Sequence, residues 1–236
     1  MAFKHGKDTK VFLNSTDLSS YLNSADATRS ADIAESTTFG KSAKTYISGG
    51  KDGTMTLAGF FDATADSPIQ TSLGSGDQEL VMGIDGVDAL DSVSFGKGNF
   101  TTYGLSSPVG DIVAFSADFQ SDEGIFNGTV LENATVTATG SGTARDNTSS
   151  TGNGGGAFII VTSASGTSPT LDAKITHSAD NSTYADLVTF TQATTATSEV
   201  KAVAKGTTVN RYLKVEYTVG GTNPSFAVII GFGRNN

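Results

Sequence analysis

The hydrophobic and polar positions of this chain alternate with a period of two far more often than with a helical period. The clearest case is Thr54 to Phe61. Met55, Leu57 and Phe61 fall on one face with Gly59 in register, and Thr54, Thr56, Ala58 and Phe60 fall on the other. That pattern predicts a half-buried central strand. Val109 to Gln120 behaves alike, with Val109, Asp111, Val113, Phe115, Ala117 and Phe119 against the intervening residues. Val11 to Leu13, Thr28 to Ser36, Glu79 to Ile84, Ser92 to Tyr103 and Phe126 to Thr139 supply further predicted strands, with a bulge or turn at Gly96-Lys97-Gly98. Asp17 to Leu22 reads as a turn. Lys51-Asp52-Gly53 is a turn signal ahead of the central strand, since glycine enters positive φ at no steric cost. One helix is expected, Ser67 to Leu73, capped by Asp66 or Ser67, with Pro68 in its first position and Gly74 at its exit. Ile69 and Leu73 would pack it on a sheet.

A second series of strands follows residue 156: Phe158 to Thr162, Leu171 to His177, Tyr184 to Thr191, Val200 to Ala204, Arg211 to Thr218 and Ser225 to Phe232. Between the two series, Gly140 to Gly156 is poor in apolar residues and rich in Gly, Ser, Thr and Asn, as a flexible linker would be. The expected organisation is therefore a domain over 1–140, a linker over 141–156 and a small β-sandwich over 157–236. Met1 to Lys10 reads as an N-terminal arm. Composition agrees with a mainly β chain. Among 236 residues there are 28 glycines, 17% are charged, and none is cysteine. That last fact excludes a disulfide framework, a thiolate metal site and a cysteine nucleophile. No run of apolar residues has the length of a membrane span, and no apolar leader is visible at the start.

Residues 35–62 carry a resemblance. Thr37-Thr38-Phe39-Gly40, Lys44-Thr45-Tyr46, Gly49-Gly50-Lys51-Asp52-Gly53 and Gly59-Phe60-Phe61-Asp62 follow one another in the order seen in the major tail tube proteins of long-tailed, siphovirus-like bacteriophages. The opening Gly6 to Val11 and Leu18 to Asn23 also resemble the start of such chains. The resemblance extends over residues 1 to about 235 and is clearest before residue 63. It implies tail-tube-type sheets with one short helix, followed by a C-terminal β-sandwich that decorates the outside of a tube. It implies a non-enzymatic virion subunit, made in the bacterial cytoplasm, that forms stacked hexameric rings through which the genome is ejected. Its partners would be further copies of itself and the terminator, tape measure and distal tail proteins. DNA would pass without specific binding, and no membrane would be involved. The long polar segment 37–50 would dock on a neighbouring subunit or ring, with Thr37, Thr38, Phe39, Lys44, Tyr46, Lys51 and Asp52 as the docking residues.

Net charge sharpens this expectation. The formal charge is −9, and residues 1–140 hold eight Lys/Arg against eighteen Asp/Glu, a balance of −10. Such a surface keeps a protein soluble; it also repels nucleic acid, which suits a wall that DNA slides past.

Catalytic and ligand-binding chemistry is weakly represented. Gly40-Lys41-Ser42 resembles the end of a phosphate-binding loop, but Glu35 stands where the first glycine belongs and no helix is expected to follow. His5 and His177 are the two histidines, far apart and without a neighbouring second ligand. Asp122-Glu123 and Asp85/Asp88/Asp91 sit beside glycines, as turn residues do, and fit neither a glycosidase pair nor a calcium loop. No cofactor, metal or catalytic residue is therefore expected. Tyr184, Tyr212 and Tyr217 leave one alternative open: a sugar-binding face that attaches the virion to host-surface glycans. A head decoration protein is the related structural alternative.

Overall fold

The computed structural model describes residues 5–235. The part of the expected N-terminal arm at Met1 to Lys4 lies outside them. The described residues are mainly β. In chain order the strands are β1 (Lys10–Leu13), β2 (Thr16–Asp17), β3 (Leu22–Glu35), β4 (Tyr46–Phe60), β5 (Gln78–Gly83), β6 (Ser92–Ser106), β7 (Ala114–Ser121) and β8 (Phe126–Val136). They continue with β9 (Gly140–Ser141), β10 (Arg145–Asp146), β11 (Gly155–Ser178), β12 (Ala185–Thr189), β13 (Thr197–Val203) and β14 (Tyr212–Arg234). One α-helix, α1 (Ala63–Ser72), lies between β4 and β5.

The chain forms two compact units that are interleaved in sequence. Among the described residues, one holds 5–20, 79–95 and 126–235; the other holds 21–78 and 96–125. The expectation above divided the chain serially instead. Its linker, residues 141–156, is paired backbone for much of its length. β9 and β10 both lie against β14, and Thr151 bridges Val209. The physical reason is that Gly, Ser and Thr serve as well in a short edge strand as in a coil once a long strand offers free N–H and C=O groups.

The first unit is organised by β11 and β14, which pair antiparallel from Gly155↔Arg234 to Ser178↔Tyr212. The sequence reads each as two strands, broken near 163–170 and 219–224. Both strands continue through these stretches by shifting register, with Gly166, Ser168, Gly221 and Asn223 at positive φ. These are bulges rather than ends. The apolar faces of β8, β11 and β14 enclose one core containing Leu131, Ile159, Val161, Ile175, Val215, Phe226 and Ile230. A second cluster gathers Phe12, Val81, Phe95, Val130, Phe158 and Ile229. Within it the rings of Phe95 and Phe158 are 4.8 Å apart and both are fully buried.

In the second unit β4 pairs with β3 on one side and with β7 on the other, and β7 continues to the Gly98–Ser106 part of β6. Met55, Leu57, Phe100, Phe115, Ala117 and Phe119 are buried on one face of this sheet. α1 adds Ala65 and Ile69, both 0% exposed. The helix begins four residues earlier than expected. Asp62 is the N-cap, accepting from the Thr64 N–H at 2.8 Å, and Pro68 lies inside the helix rather than at its first position. Proline lacks the N–H that would have bonded back to residue 64, so this helix forgoes one rung there. Leu73 is 45% exposed and does not pack as expected, because α1 ends at Ser72.

Candidate functional site

The segment expected to dock is the far end of a long β-hairpin. β3 pairs with β4 from Leu22↔Gly59 to Glu35↔Tyr46. β7 covers β4 only from Thr54 to Phe60. From Arg29 to Glu35 and from Tyr46 to Asp52, each strand therefore has only the other as a partner, and every residue there is exposed. At about 3.3 Å per residue this two-stranded ribbon extends some 20 Å beyond the buried sheet, before its closing loop is counted. A bulge opposite Asp32 takes up Gly49 and Gly50, where the pairing steps from Ala31↔Lys51 to Ile33↔Ser48. A Cβ at Gly49 would stand 3.0 Å from the Asp32 Cβ, a tight contact that the exposed ribbon would have to relieve by a small shift.

The closing loop holds itself together by local hydrogen bonds. The Ser36 N–H donates to the Thr45 carbonyl at 2.8 Å, and the Thr45 N–H donates to Thr37 Oγ1 at 3.0 Å. Lys44 Nζ reaches Glu35 Oε2 at 2.9 Å, and with a further hydrogen bond from Thr37 this holds the Glu35 carboxyl below the usual range. Gly40 turns the loop at φ +85°. Glu35, Thr37, Thr38, Phe39, Gly40 and Lys41 line an open hollow of about 550 Å³. Phe39 has no cover at all, at 109% of its reference exposure. Tyr46, Ile47 and Ile33 are 53%, 62% and 66% exposed. Four large apolar groups thus lie bare at the end of one ribbon, where water is the costly neighbour.

Five of the seven expected docking residues, Thr37, Thr38, Phe39, Lys44 and Tyr46, meet at this tip. Lys51 and Asp52 do not. They lie in β4 at the base of the ribbon, opposite Ala31 and Ser30. The turn expected at Lys51-Asp52-Gly53 is mid-strand. Gly53 is required there for close approach rather than for positive φ: a Cβ would meet Ile125 Cγ1 at 2.7 Å and the Ile125 backbone N at 2.9 Å. Asp52 accepts from Gln120 Nε2 and from its own neighbour's N–H.

The outward face of the same sheet is polar and acidic. Asp26 stands beside Thr56, Thr56 beside Asp118, and Asp118 beside Thr102, one residue on each of four adjacent strands. Asp118 accepts from Thr56 Oγ1 at 3.0 Å and from Thr102 Oγ1 at 2.6 Å. Asp52 shares this face. No Lys or Arg occupies the outward positions that β3, β4 and β7 pair there. Sequence alternation gave the strands but could not show that these carboxylates form a row, because cross-strand register is invisible in one strand's pattern.

The remaining candidates are dispersed. Gly40-Lys41-Ser42 forms part of the hairpin loop and is followed by strand, so its N–H groups do not open a helix. His177 Nδ1 accepts the Asn210 N–H at 3.2 Å, and burial together with nearby Arg234 pushes its pKa down. Asp91 accepts the Asp88 N–H at 2.8 Å in a turn. Among the described residues no group of His, Cys, Asp and Glu has metal-holding geometry. The three tyrosines do not share a face. Tyr212 and Tyr217 are five apart in β14 and so point to opposite sides. Tyr217 packs on the core, Tyr184 lies under Lys214, and Tyr212 lies under Arg211.

No family model matches this chain, and no curated protein matches it. Among solved structures, a chain in the virion of a native gene transfer agent particle is 14% identical, with a TM-score of 0.45 over 52% of this chain and 97% of that one. A chain in the tail of an empty gene transfer agent particle, refined with C6 symmetry, is 14% identical with a TM-score of 0.43 over the same shares. The Dit protein of phage SPP1, described as a hub adsorption apparatus of phages infecting Gram-positive bacteria, is 11% identical. Its TM-score is 0.40, over 97% of this chain and 99% of that one. With all three TM-scores below 0.5, these likenesses establish neither a shared fold nor a shared role.

Proposed function

We propose that this chain is a structural virion protein, the subunit of a phage tail tube, which polymerises as stacked hexameric rings and conducts the genome passively. The observation that carries this reading is the ribbon at 29–52. It is a two-stranded arm, bare on both faces, ending in a naked phenylalanine. A two-stranded hairpin is marginal by itself in water, and an exposed strand edge invites pairing with another chain. The fold therefore makes sense when neighbouring copies cover the ribbon. The sequence run over 35–62 supports the tube form and the six-fold ring. The outward row of Asp26, Asp118 and Asp52 supports a wall turned to DNA, because carboxylates repel phosphate and no cation on that face would hold it. In this reading Thr37, Thr38, Phe39, Lys44 and Tyr46 dock on the adjacent subunit or ring. The C-terminal strands decorate the exterior. Terminator, tape measure and distal tail proteins contact the finished tube.

The test is assembly. Electron microscopy of the purified chain at high concentration is expected to show rings or tubes. Deleting Lys41 to Ser48 should leave a folded monomer that does not polymerise. A chain found only on the head of particles, or one strictly monomeric at every concentration, refutes the reading; normal tubes from the deletion refute the role of the ribbon.

A further inference from the structure

We infer that the second unit carries both halves of a head-to-tail joint: the tip at 37–50 of one copy seats on a surface formed by residues 60–66 and 105–113 of the next. This rests on the assembly proposed above and adds the receiving surface and its partner, another copy of this chain.

The receiving surface lies at the opposite end of β4 from the tip. Tyr46 and Phe60 are the two ends of that strand, about 45 Å apart at roughly 3.3 Å per residue. At the Phe60 end the segments converge through backbone bonds. Phe60 pairs with Ala114, the Phe61 N–H donates to the Val113 carbonyl at 2.8 Å, and Leu105 pairs with Phe115. The Tyr103 hydroxyl, two residues before Leu105, donates to Asp66 on α1. Five large apolar side chains are bare around this end, with Phe60 and Leu105 on opposite faces of the sheet by register: Phe60 at 46%, Phe61 at 43%, Leu105 at 53%, Ile112 at 61% and Val109 at 107%. Scattered exposed apolar residues are ordinary, but this many within two converging segments mark a contact surface.

Charge selects the occupant. Residues 37–50 contain Lys41 and Lys44 and no Asp or Glu; Lys44 already pairs with Glu35 at 2.9 Å, so Lys41 carries the net positive charge of the tip. Residues 60–66 and 105–113 contain Asp62, Asp66 and Asp111 and no Lys or Arg. The two ends are thus both apolar and opposite in sign, which favours tip against far end and disfavours tip against tip. Contacts between two different patches of one molecule close into a ring where the rotation between copies allows it, and otherwise propagate along an axis. That is the geometry a growing tube requires.

Two full-length variants test this. Phe39→Asp places a charge at the tip, and Val109→Asp with Ile112→Asp places charges at the far end. All three positions are more than half exposed, so both variants should melt with the wild type. Each alone should need a roughly 100-fold higher concentration to stack, since a carboxylate must be desolvated at the joint. Mixed together, they should form one further joint and stop, because each retains the half that the other lost. Sedimentation then shows a species twice the mass of either and nothing longer. Charge reversal gives a second reading: Lys41→Asp should weaken stacking, and adding Asp111→Lys to the same chain should restore it. If wild-type tubes form while both variants also stack normally, or if the mixture fails to pair, the joint is wrong and the tube reading survives. If the wild type never assembles, the tube reading fails and the joint with it.

Discussion

Replacing Gly59 by alanine tests the register that builds the ribbon. A Cβ at this position would stand 2.1 Å from the Tyr21 carbonyl oxygen and 3.0 Å from both the Tyr21 carbonyl carbon and Leu22 Cα. These are backbone atoms, so no rotamer relieves the clash, and the start of β3 must retreat by roughly 1 Å to regain contact distance. The same carbonyl accepts the Phe60 N–H at 2.9 Å, so retreat also breaks that bond. Overpacking costs about 1–3 kcal/mol and an unmade buried hydrogen bond about 1–3 kcal/mol. Gly59 is not among the positive-φ glycines, so no conformational strain adds to this. Alanine recovers about 0.4–1 kcal/mol through the less flexible unfolded chain. The expected net loss is about 3 kcal/mol, a large part of a stability of order 5–15 kcal/mol.

Urea unfolding measures it. With a slope of about 2 kcal/mol per molar, the midpoint should fall by roughly 1.5 M. Gly50→Ala is the control, since nothing lies within 4 Å of a Cβ there and its φ is not positive; it should be neutral or slightly stabilising. Gly53→Ala should fall between them, because the Ile125 side chain can give but its backbone N cannot. A Gly59→Ala protein as stable as Gly50→Ala would refute the Leu22↔Gly59 pairing and the hairpin built on it.

Two further outcomes concern the first unit. Phe158→Ala should cost about 3–5 kcal/mol in the same assay, because the ring is fully buried and 4.8 Å from that of Phe95; a loss under about 1 kcal/mol would mean that the cluster is not packed as seen. The Asp180 carboxylate accepts N–H groups from Thr183 and Ser182 and the Ser178 hydroxyl, which lowers its pKa to about 2. A folded-state pKa below the unfolded value of 3.8 means that the contribution to stability is present above pH 3.8 and is lost as pH falls through about 2. A carboxyl-carbon NMR titration with its midpoint near 3.8 instead would show that the turn does not hold these donors.

The strands of this protein were legible where alternation and burial coincide. Met55 and Leu57 on one face of β4 announced it, and Phe115, Ala117 and Phe119 announced β7. What escaped the sequence was every feature set by a partner strand. β4 begins at Tyr46 rather than Thr54 because β3 supplies the hydrogen bonds, although the residues between are polar and glycine-rich. Gly53 looked like a turn because glycine serves both positive φ and close approach, and only the position of Ile125 separates the two. The long strands β11 and β14 read as four pieces because a bulge interrupts the apolar pattern without interrupting the pairing. Of the expected docking residues, the five that meet at the tip were proposed from a contiguous run. Leu105, Val109 and Ile112 were not: Leu105 lies in the exposed end of β6, and Val109 and Ile112, which alternation reads as part of a strand starting at Val109, lie bare ahead of β7, which starts at Ala114.

The charge of the second unit bears on how the proposed tube subunit would avoid premature association. This unit holds five Lys/Arg against eleven Asp/Glu, a balance of −6, while the rest of the chain holds ten against thirteen, a balance of −3. Net repulsion between second units opposes random approach. At physiological salt it acts only within a Debye length of about 8 Å, where the local arrangement of charges also decides. Lys41 and Lys44 are two of the five cations and sit within the bare tip; Lys44 pairs with Glu35, so Lys41 makes the tip a weakly basic point on an acidic unit. An approaching copy is repelled by most orientations and attracted by the one that brings this point to Asp62, Asp66 and Asp111. Selectivity of that kind comes from the arrangement of charges rather than from their strength, since each exposed pair contributes only about 0–1 kcal/mol. The apolar side chains around them then supply the adhesion, and neither property alone would make the contact both tight and directional.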